Sequence, residues 1–322
     1  MMDCSDRHAR YLWRLISKRA RLYTEMVVSG ALIHGERERF LRYHDSEHPL
    51  ALQVGGSNPS ELAECAKMAE DWGYDEINLN CGCPSSRVQN GNIGAVLMAE
   101  ATLVADCVAA MKAACSLPVT VKHRVGIDDQ NEDETLPHFV GTVADAGCEV
   151  FIVHARKAWL QGLSPKENRD IPPLQYERVC DLKRQFPQLT IVINGGITRH
   201  DQSAQLLQKV DGVMVGREAY SNPYSLAAVD ALFFESALDS PSRAEVMERY
   251  LAYAAEEQNK GVPLHLLTRH LLGLYHGQPG GKAFRRHIST LQAKGELSVD
   301  SVLHAAEYSA RESDHMTRVS ST

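Results

Sequence analysis

No apolar run in this chain approaches the roughly 18 residues needed to cross a bilayer, although apolar residues fill 44% of its 322 positions. A membrane-spanning helix is not expected on that pattern. The opening Met1-Met2-Asp3-Cys4-Ser5-Asp6-Arg7-His8 has no apolar core and sets acids beside bases, unlike a secretory signal. A cytoplasmic location is therefore expected. The eight cysteines, at 4, 65, 81, 83, 107, 115, 148 and 180, lack the dense, regular spacing of a disulfide framework. Free thiols follow. Positive charge is scarce as well: 34 Lys and Arg against 41 Asp and Glu leave a net −7. A generic nucleic-acid-binding domain carries the opposite balance, because its Lys and Arg neutralise phosphates. A nucleic-acid partner would need a local basic face.

What is present is a βαβ rhythm from about residue 24 to about residue 230, in which short β-branched runs close on polar or glycine-rich residues and alternate with helical segments. The runs are Thr24–Val28, Leu50–Val54, Glu76–Asn80, Val119–Arg124, Val150–His154, Thr190–Asn194 and Gly212–Val215. Between them, the stretch from Pro59 repeats apolar residues at 62, 65, 66 and 69, one face of a helix. Seven strands are one short of a closed (β/α)₈ TIM barrel. The expectation is a TIM barrel over residues 1–234 whose first strand is truncated, with the true start codon upstream. After a polar linker, Ser242-Arg243-Ala244-Glu245 reads as a capping box that opens a small all-helical domain over 242–322. Helical segments are expected at Leu264–Tyr275, Lys282–Leu291 and Val299–Tyr308, followed by a frayed Ser/Arg-rich tail.

In a parallel barrel the chemistry gathers where strands end. Here those positions hold Gln53, Asn80, Lys122 with Arg124, His154 with Arg156, Asn194-Gly195-Gly196, and Gly216-Arg217. The two glycine motifs suit a phosphate, since glycine lets backbone N–H groups approach an anion and arginine adds a charge-assisted contact. Lys122 faces either the barrel mouth, where a cation would stabilise a reduced anionic cofactor ring, or solvent by snorkelling. His154 is either a ligand contact or a satisfied structural group. Cys81-x-Cys83, with His123 or His154, is a poor match to structural zinc, which brings paired knuckles and four clear ligands. No metal is expected. Cys83 instead suits a positioned acid or nucleophile, because an ordinary thiol with pKa about 8.5 carries its proton near neutrality.

These motifs in order, Met1-Met2-Asp3 with Ser5-Asp6-Arg7-His8, Gln53-Val54-Gly55-Gly56, Leu79-Asn80-Cys81-Gly82-Cys83-Pro84-Ser85, Val121-Lys122-His123-Arg124, Val153-His154-Ala155-Arg156, Asn194-Gly195-Gly196-Ile197 and Val215-Gly216-Arg217, resemble the tRNA-dihydrouridine synthases. The stretches His154–Leu160 and Gly162–Arg169 resemble the bacterial A-type subfamily most. The resemblance implies an FMN-binding barrel with a helical C-terminal domain, NADPH as reductant, and uridines 20 and 20a of tRNA as substrate. It places Met1, Met2, Gln53, Lys122, His154, Asn194, Gly195, Gly196, Gly216 and Arg217 at the flavin, Cys83 as proton donor, and Asn80, Lys166, Arg169, Lys282 and Arg285 at the tRNA.

Basic residues at 7, 10, 14, 18, 19 and 21 would extend the RNA face, and a monomer is expected. Three departures from the family pattern stand out: the proline and strand that precede its double Met are absent here, Cys4 replaces a common Trp, and Cys81, in place of a small apolar residue, sets a second thiol two residues from Cys83, open to adventitious oxidation. Two other readings use part of the same pattern. An FMN barrel acting on a free pyrimidine, like dihydroorotate dehydrogenase, would not need the basic helical domain. A non-catalytic tRNA-binding protein would have no reason to hold Cys83, Lys122 and His154 at strand ends.

Overall fold

Side chains alternate between the two faces of a strand. In Glu76–Cys81 the polar Glu76, Asn78 and Asn80 alternate with Ile77, Leu79 and Cys81, and all six are buried. A strand polar on one face and apolar on the other, yet buried on both, belongs in a curved wall whose apolar face is covered by helices and whose polar face lines the interior. The computed structural model, which describes residues 1–85, 89, 91–237 and 239–307, is built of such strands.

They are β1 (Leu22–Tyr23), β2 (Val27–Val28), β3 (Leu50–Gly55), β4 (Glu76–Cys81), β5 (Val119–Arg124), β6 (Val150–His154), β7 (Thr190–Asn194) and β8 (Gly212–Met214). All pairings are parallel, in the order β1-β3-β4-β5-β6-β7-β8, with β2 also on β3, so that among the described residues the sheet is an open path with β8 at one edge.

The expected strand Thr24–Val28 is instead two short segments. Leu22 and Tyr23 oppose Leu50 and Ala51, whereas Val27 and Val28 oppose Val54 and Gly55. Three residues on one side thus face two on the other, the signature of a bulge. Thr24 holds it, since its N–H donates to Ala51 O (3.0 Å) and its Oγ1 accepts the N–H of Gln53 (2.9 Å).

The chain divides into two compact units. The first holds the sheet and comprises Met1–Met2, Arg21–Tyr43 and His48–Gly216. Its helix Pro59–Asp71 is capped by Asn58, buries Leu62, Cys65, Ala66 and Ala69 as the periodicity predicts, and packs on Ala101–Ala114, which packs in turn on Glu132–Asp145.

The second unit comprises Asp3–Ala20, His44–Glu47 and Arg217–Thr322, a different division from the contiguous 1–234 and 242–322 expected. Packing explains the difference. The helix Arg7–Ile16 buries eight of its ten residues and lies on Arg243–Asn259. Tyr11 stacks on Tyr253 with ring centroids 3.9 Å apart, His8 Nδ1 sits 2.7 Å from Tyr253 Oη, and Arg7 pairs with Glu257. The capping box is present, with Ser242 N donating to Glu245 Oε2 (2.7 Å) and Glu245 N to Ser242 Oγ (3.2 Å). Leu264–Thr268 continues as a 3₁₀ turn over Arg269–Gly273, Gly281–Lys294 follows, and residues 299–307 are helical. Tyr308 and the expected tail lie outside the described residues.

The expected basic stretch near the start is largely structural. Arg10 is buried against Glu47 (2.6 Å), and Arg14 is buried and donates to the carbonyls of Ser17, Ala20 and Glu47. Arg7 and Arg21 pair with Glu257 and Glu76, leaving Lys18 and Arg19 as the exposed cations of this stretch without a carboxylate within ion-pair distance among the described residues. A linear sequence shows the charges of Arg10 and Arg14 but not the carboxylate and carbonyls waiting for them.

Candidate active site

Parallel pairing places register partners side by side on one face, and the registers stack the interior side chains in tiers. Gln53, Asn78 and Thr120 form one; Asn80, Lys122 and Ile152 form the next; Arg124, His154, Asn194 and Met214 form the tier nearest the strand ends. Cys83 follows directly on β4, half-buried.

The Cys83 loop is held through its backbone. The N–H groups of Gly82 and Cys83 donate to Asn80 Oδ1 (3.0 and 2.6 Å), and Arg124 Nε donates to Gly82 O (3.0 Å). Ala95 N–H donates to Cys83 O (2.8 Å), and Gln89 Nε2 ties Pro84 O (2.8 Å) to Leu160 O (2.9 Å). None of these bonds uses the thiol. Cys83 is thus fixed in place through its backbone.

Lys122 reaches Asn194 Oδ1 with its ammonium (3.3 Å). Burial, reinforced by the charge of Arg124, pushes it down to about 8, while the nearby Cys83 favours its charged form. This resolves the open orientation of Lys122: it faces the interior. Burial and the charges of Arg124, Lys122 and Arg156 hold His154 far below the usual histidine range, so its ring stays neutral at physiological pH. Its Nδ1 is buried without a partner of ordinary hydrogen-bond geometry.

Asn194 donates through Nδ2 to Met214 O (2.8 Å), and the chain then turns through Gly195 (φ +115°) and Gly196 (φ +65°). Tyr176 pins this turn by donating its hydroxyl to Gly195 O (2.6 Å). A Cβ at Gly195 would lie 3.2 Å from His154 Nε2, and one at Gly196 would lie 2.7 Å from Leu174 Cδ1. Met1 borders Gly216, where a Cβ would sit 3.5 Å from its Sδ, and Met2 is 61% exposed.

The remaining predicted positions are dispersed. Asn80 is buried, with Nδ2 donating to Gln53 Oε1 (2.8 Å) and Oδ1 holding the Cys83 loop. Lys166 and Arg169 are exposed on a segment knotted by the buried Asn168, whose carbonyl also accepts from Arg124 NH1 (2.8 Å). Arg217 is exposed at the start of Arg217–Ser221, in the second unit, as are Lys282, exposed, and Arg285, half-buried, on Gly281–Lys294.

Cys81 corrects one expectation. It is fully buried on the opposite face from Asn80, beside Cys107 and Cys148, and burial raises its thiol well above the usual range. Neither oxidation with Cys83 nor a shared ligand position suits that place. His123 sits on the same outer face, its ring against Phe139 and Phe151 and its Nδ1 2.7 Å from Arg124 O.

Arg124 was visible as a strand-end residue, but its role as tether of the Cys83 loop was not. The polar alternation of Glu76, Asn78 and Asn80 was the available signal for an interior network.

Fold and site together define an α/β-barrel enzyme whose chemistry lies at the C-terminal ends of its strands. The model of the dihydrouridine synthase (Dus) family matches residues 1–310. The chain is 55% identical over 311 residues to a tRNA-dihydrouridine(20/20a) synthase of Synechocystis, covering 96% of this chain and 93% of that protein. It is 57% identical to the Shewanella oneidensis enzyme of the same name (94% and 90% covered) and 55% identical to that of Escherichia coli K12 (95% and 88%). Morphinone reductase shares the fold, with a TM-score of 0.51 at 11% identity over 76% of this chain and 85% of its own. This chain belongs to the dihydrouridine synthase family. Membership implies a flavin.

The residues fit such a group. A histidine held neutral by burial and neighbouring cations, an interior ammonium, and a turn that a Cβ would fill are all present at the strand ends. Gly196→Ala is expected to yield folded protein with at least severalfold less bound flavin, because an alanine there is strained at positive φ and drives into Leu174. The ratio of flavin to protein absorbance after purification checks this, with circular dichroism confirming the fold.

Proposed function

We propose that this chain reduces uridine to 5,6-dihydrouridine in tRNA, at the positions 20 and 20a for which its relatives are named, with FMN bound and NADPH as reductant. The observation that carries the reading is a thiol fixed by its backbone beside an interior lysine, at the open end of a parallel sheet. A flavin in this site supplies the hydride that saturates the C5–C6 bond of uracil.

Cys83 donates the proton that C5 takes as C6 receives the hydride, so one double bond gains two hydrogens and the sulfur is left as thiolate to be reprotonated from solvent. Met1, Met2 and Gln53 would line the ring, Lys122 would balance negative charge on it, and the neutral His154 would lie beside it. Asn194, Gly195, Gly196, Gly216 and Arg217 hold the phosphate end. The target base must leave its stack to reach the thiol, as bases do in other enzymes that act on them. Asn80 meets it beside Cys83, while Lys166 and Arg169 of the first unit and Lys282 and Arg285 of the second contact the RNA backbone.

Incubating the purified yellow protein with unmodified tRNA transcript and NADPH, then mapping dihydrouridine by mass spectrometry, tests the reading. Product at uridines 20 and 20a is the expected result, and a protein without flavin or without product on tRNA would overturn it. Lys282→Ala combined with Arg285→Ala is expected to weaken tRNA binding and to flatten the plot of log affinity against log salt by about two, roughly one for each phosphate that is no longer neutralised. Filter binding across a salt series checks this.

A further inference from the structure

The interior of the sheet carries a hydrogen-bond chain with a single direction. At its far end the Glu76 carboxylate accepts from Arg21, from the Tyr23 hydroxyl at Oε1 (2.9 Å) and from the Thr120 hydroxyl at Oε1 (2.7 Å). Having given its only proton to Glu76, Thr120 Oγ1 can only accept, and it does so from Asn78 Nδ2 (2.8 Å). Asn78 therefore presents Oδ1 to Gln53 Nε2 (2.9 Å), and Gln53 presents Oε1 to Asn80 Nδ2 (2.8 Å). Asn80 is left with its carbonyl toward the N–H groups of Gly82 and Cys83.

Amide oxygens and nitrogens are distinguished by their partners, and here both ends impose the same sense. A carboxylate can only accept, a backbone N–H can only donate, and every link between them is satisfied. Glu76, Asn78 and Thr120 are at most 2% exposed, so bulk solvent does not reach this part of the chain, and a mismatched link would set two donors face to face.

We propose that Glu76, at the end of β4 remote from Cys83, is a positioning residue that sets the polarity of this chain and thereby orients the Gln53 and Asn80 amides and the Cys83 loop. The consequence for the reaction rests on Cys83 as the proton donor; the structural consequence does not. Glu76→Gln creates a frustrated chain. If the new amide turns its oxygen toward Thr120 and Tyr23, its NH₂ meets the Arg21 guanidinium. If it turns its oxygen to Arg21, its NH₂ faces Thr120 Oγ1; Thr120 then either turns its proton to Asn78, which reverses the relay and sets the Asn80 NH₂ against the N–H groups of the Cys83 loop, or accepts from both amides and leaves its own proton without the carboxylate. Removing Arg21, whose side chain is 43% exposed, leaves solvent to receive the NH₂ and lets the native polarity return.

The experiment measures the rate at which iodoacetamide alkylates Cys83 in the flavin-loaded protein, by mass spectrometry of its peptide, alongside kcat and KM on tRNA. Glu76→Gln is expected to change the alkylation rate at least about threefold and to lower kcat about tenfold with KM for tRNA little altered, as for a reacting group displaced by a fraction of an ångström. The double variant Arg21→Met with Glu76→Gln is expected to return both to within about twofold of the parent. A double variant no better than Glu76→Gln, or a Glu76→Gln protein alkylated and active like the parent, overturns the proposal.

Should neither Glu76 variant fold, Thr120→Val decides: it cuts the relay while leaving Arg21 and Tyr23 on Glu76. The same change in alkylation, absent in Thr120→Ser, supports the proposal, and a parental rate in Thr120→Val refutes it. If Cys83 were not the donor, the alkylation rates would still respond while kcat would not, which separates the two readings.

Discussion

Cys83→Ala is expected to give a folded, flavin-loaded protein that NADPH still reduces and that forms dihydrouridine on tRNA about 10²- to 10⁴-fold more slowly, the range for loss of a positioned general acid. The structure makes this a clean experiment. Asn80, Arg124 and Ala95 grip the loop through the backbone of Gly82 and Cys83, and among the described residues no bond to Sγ contributes to its shape. Removing the sulfur removes the acid and leaves its setting in place. Stopped-flow reduction of the flavin, followed by product analysis on tRNA, separates the two half-reactions. A variant that forms product at the parental rate would end the assignment of Cys83.

The largest effect on stability is expected from Arg10→Met. Arg10 and Glu47 are 4% and 0% exposed in the side chain, 2.6 Å apart, and Arg10 also donates to Ser5 O (2.9 Å). Deleting one partner leaves a buried charge without its counterion, at a cost of about 3–5 kcal/mol, which lowers the melting temperature by on the order of 10 °C. Replacing the pair together, Arg10→Met with Glu47→Leu, is expected to recover most of the loss, since apolar residues of similar volume need no counterion.

Acid should soften the single variant's defect. Burial already raises the Glu47 carboxyl in spite of Arg10, and without the arginine it rises further. Its folded value then lies above its unfolded value, so the penalty is full above the folded value and fades as pH falls toward the unfolded one. Thermal melts at pH 7 and pH 4.5 check the sign: the gap from the parent should narrow at the lower pH.

Strand positions were legible because β-branched runs ending in glycine or polar residues recur at barrel spacing, and six of the seven expected runs match strands to within a residue. The seventh missed because its extra residue is visible only in the register against β3. Cys83, Lys122, His154 and the Asn194-Gly195-Gly196 turn were legible as strand-end residues, since a parallel fold carries its chemistry there. The grouping of Arg7–Ile16 with the C-terminal helices was not, because an amphipathic helix shows that it has an apolar face and not which surface will cover it.

The sequence by itself determined the parallel sheet, the family motifs and the strand-end place of Cys83, all of which depend on residue type at short spacing. Only the tertiary structure decided which cations remain available. Arg10 and Arg14 are buried by carboxylate and carbonyl groups up to 37 positions away, whereas Lys166 and Lys282 stay exposed. The structure also decided that Cys81 and Cys83, two residues apart, share no chemistry. The pleat turns the Cys81 side chain to the outer face of β4, and the loop beyond the strand end carries Cys83 on a frame held by Asn80 and Arg124. The partners that fix that frame come from neighbouring strands, and no local pattern can name them.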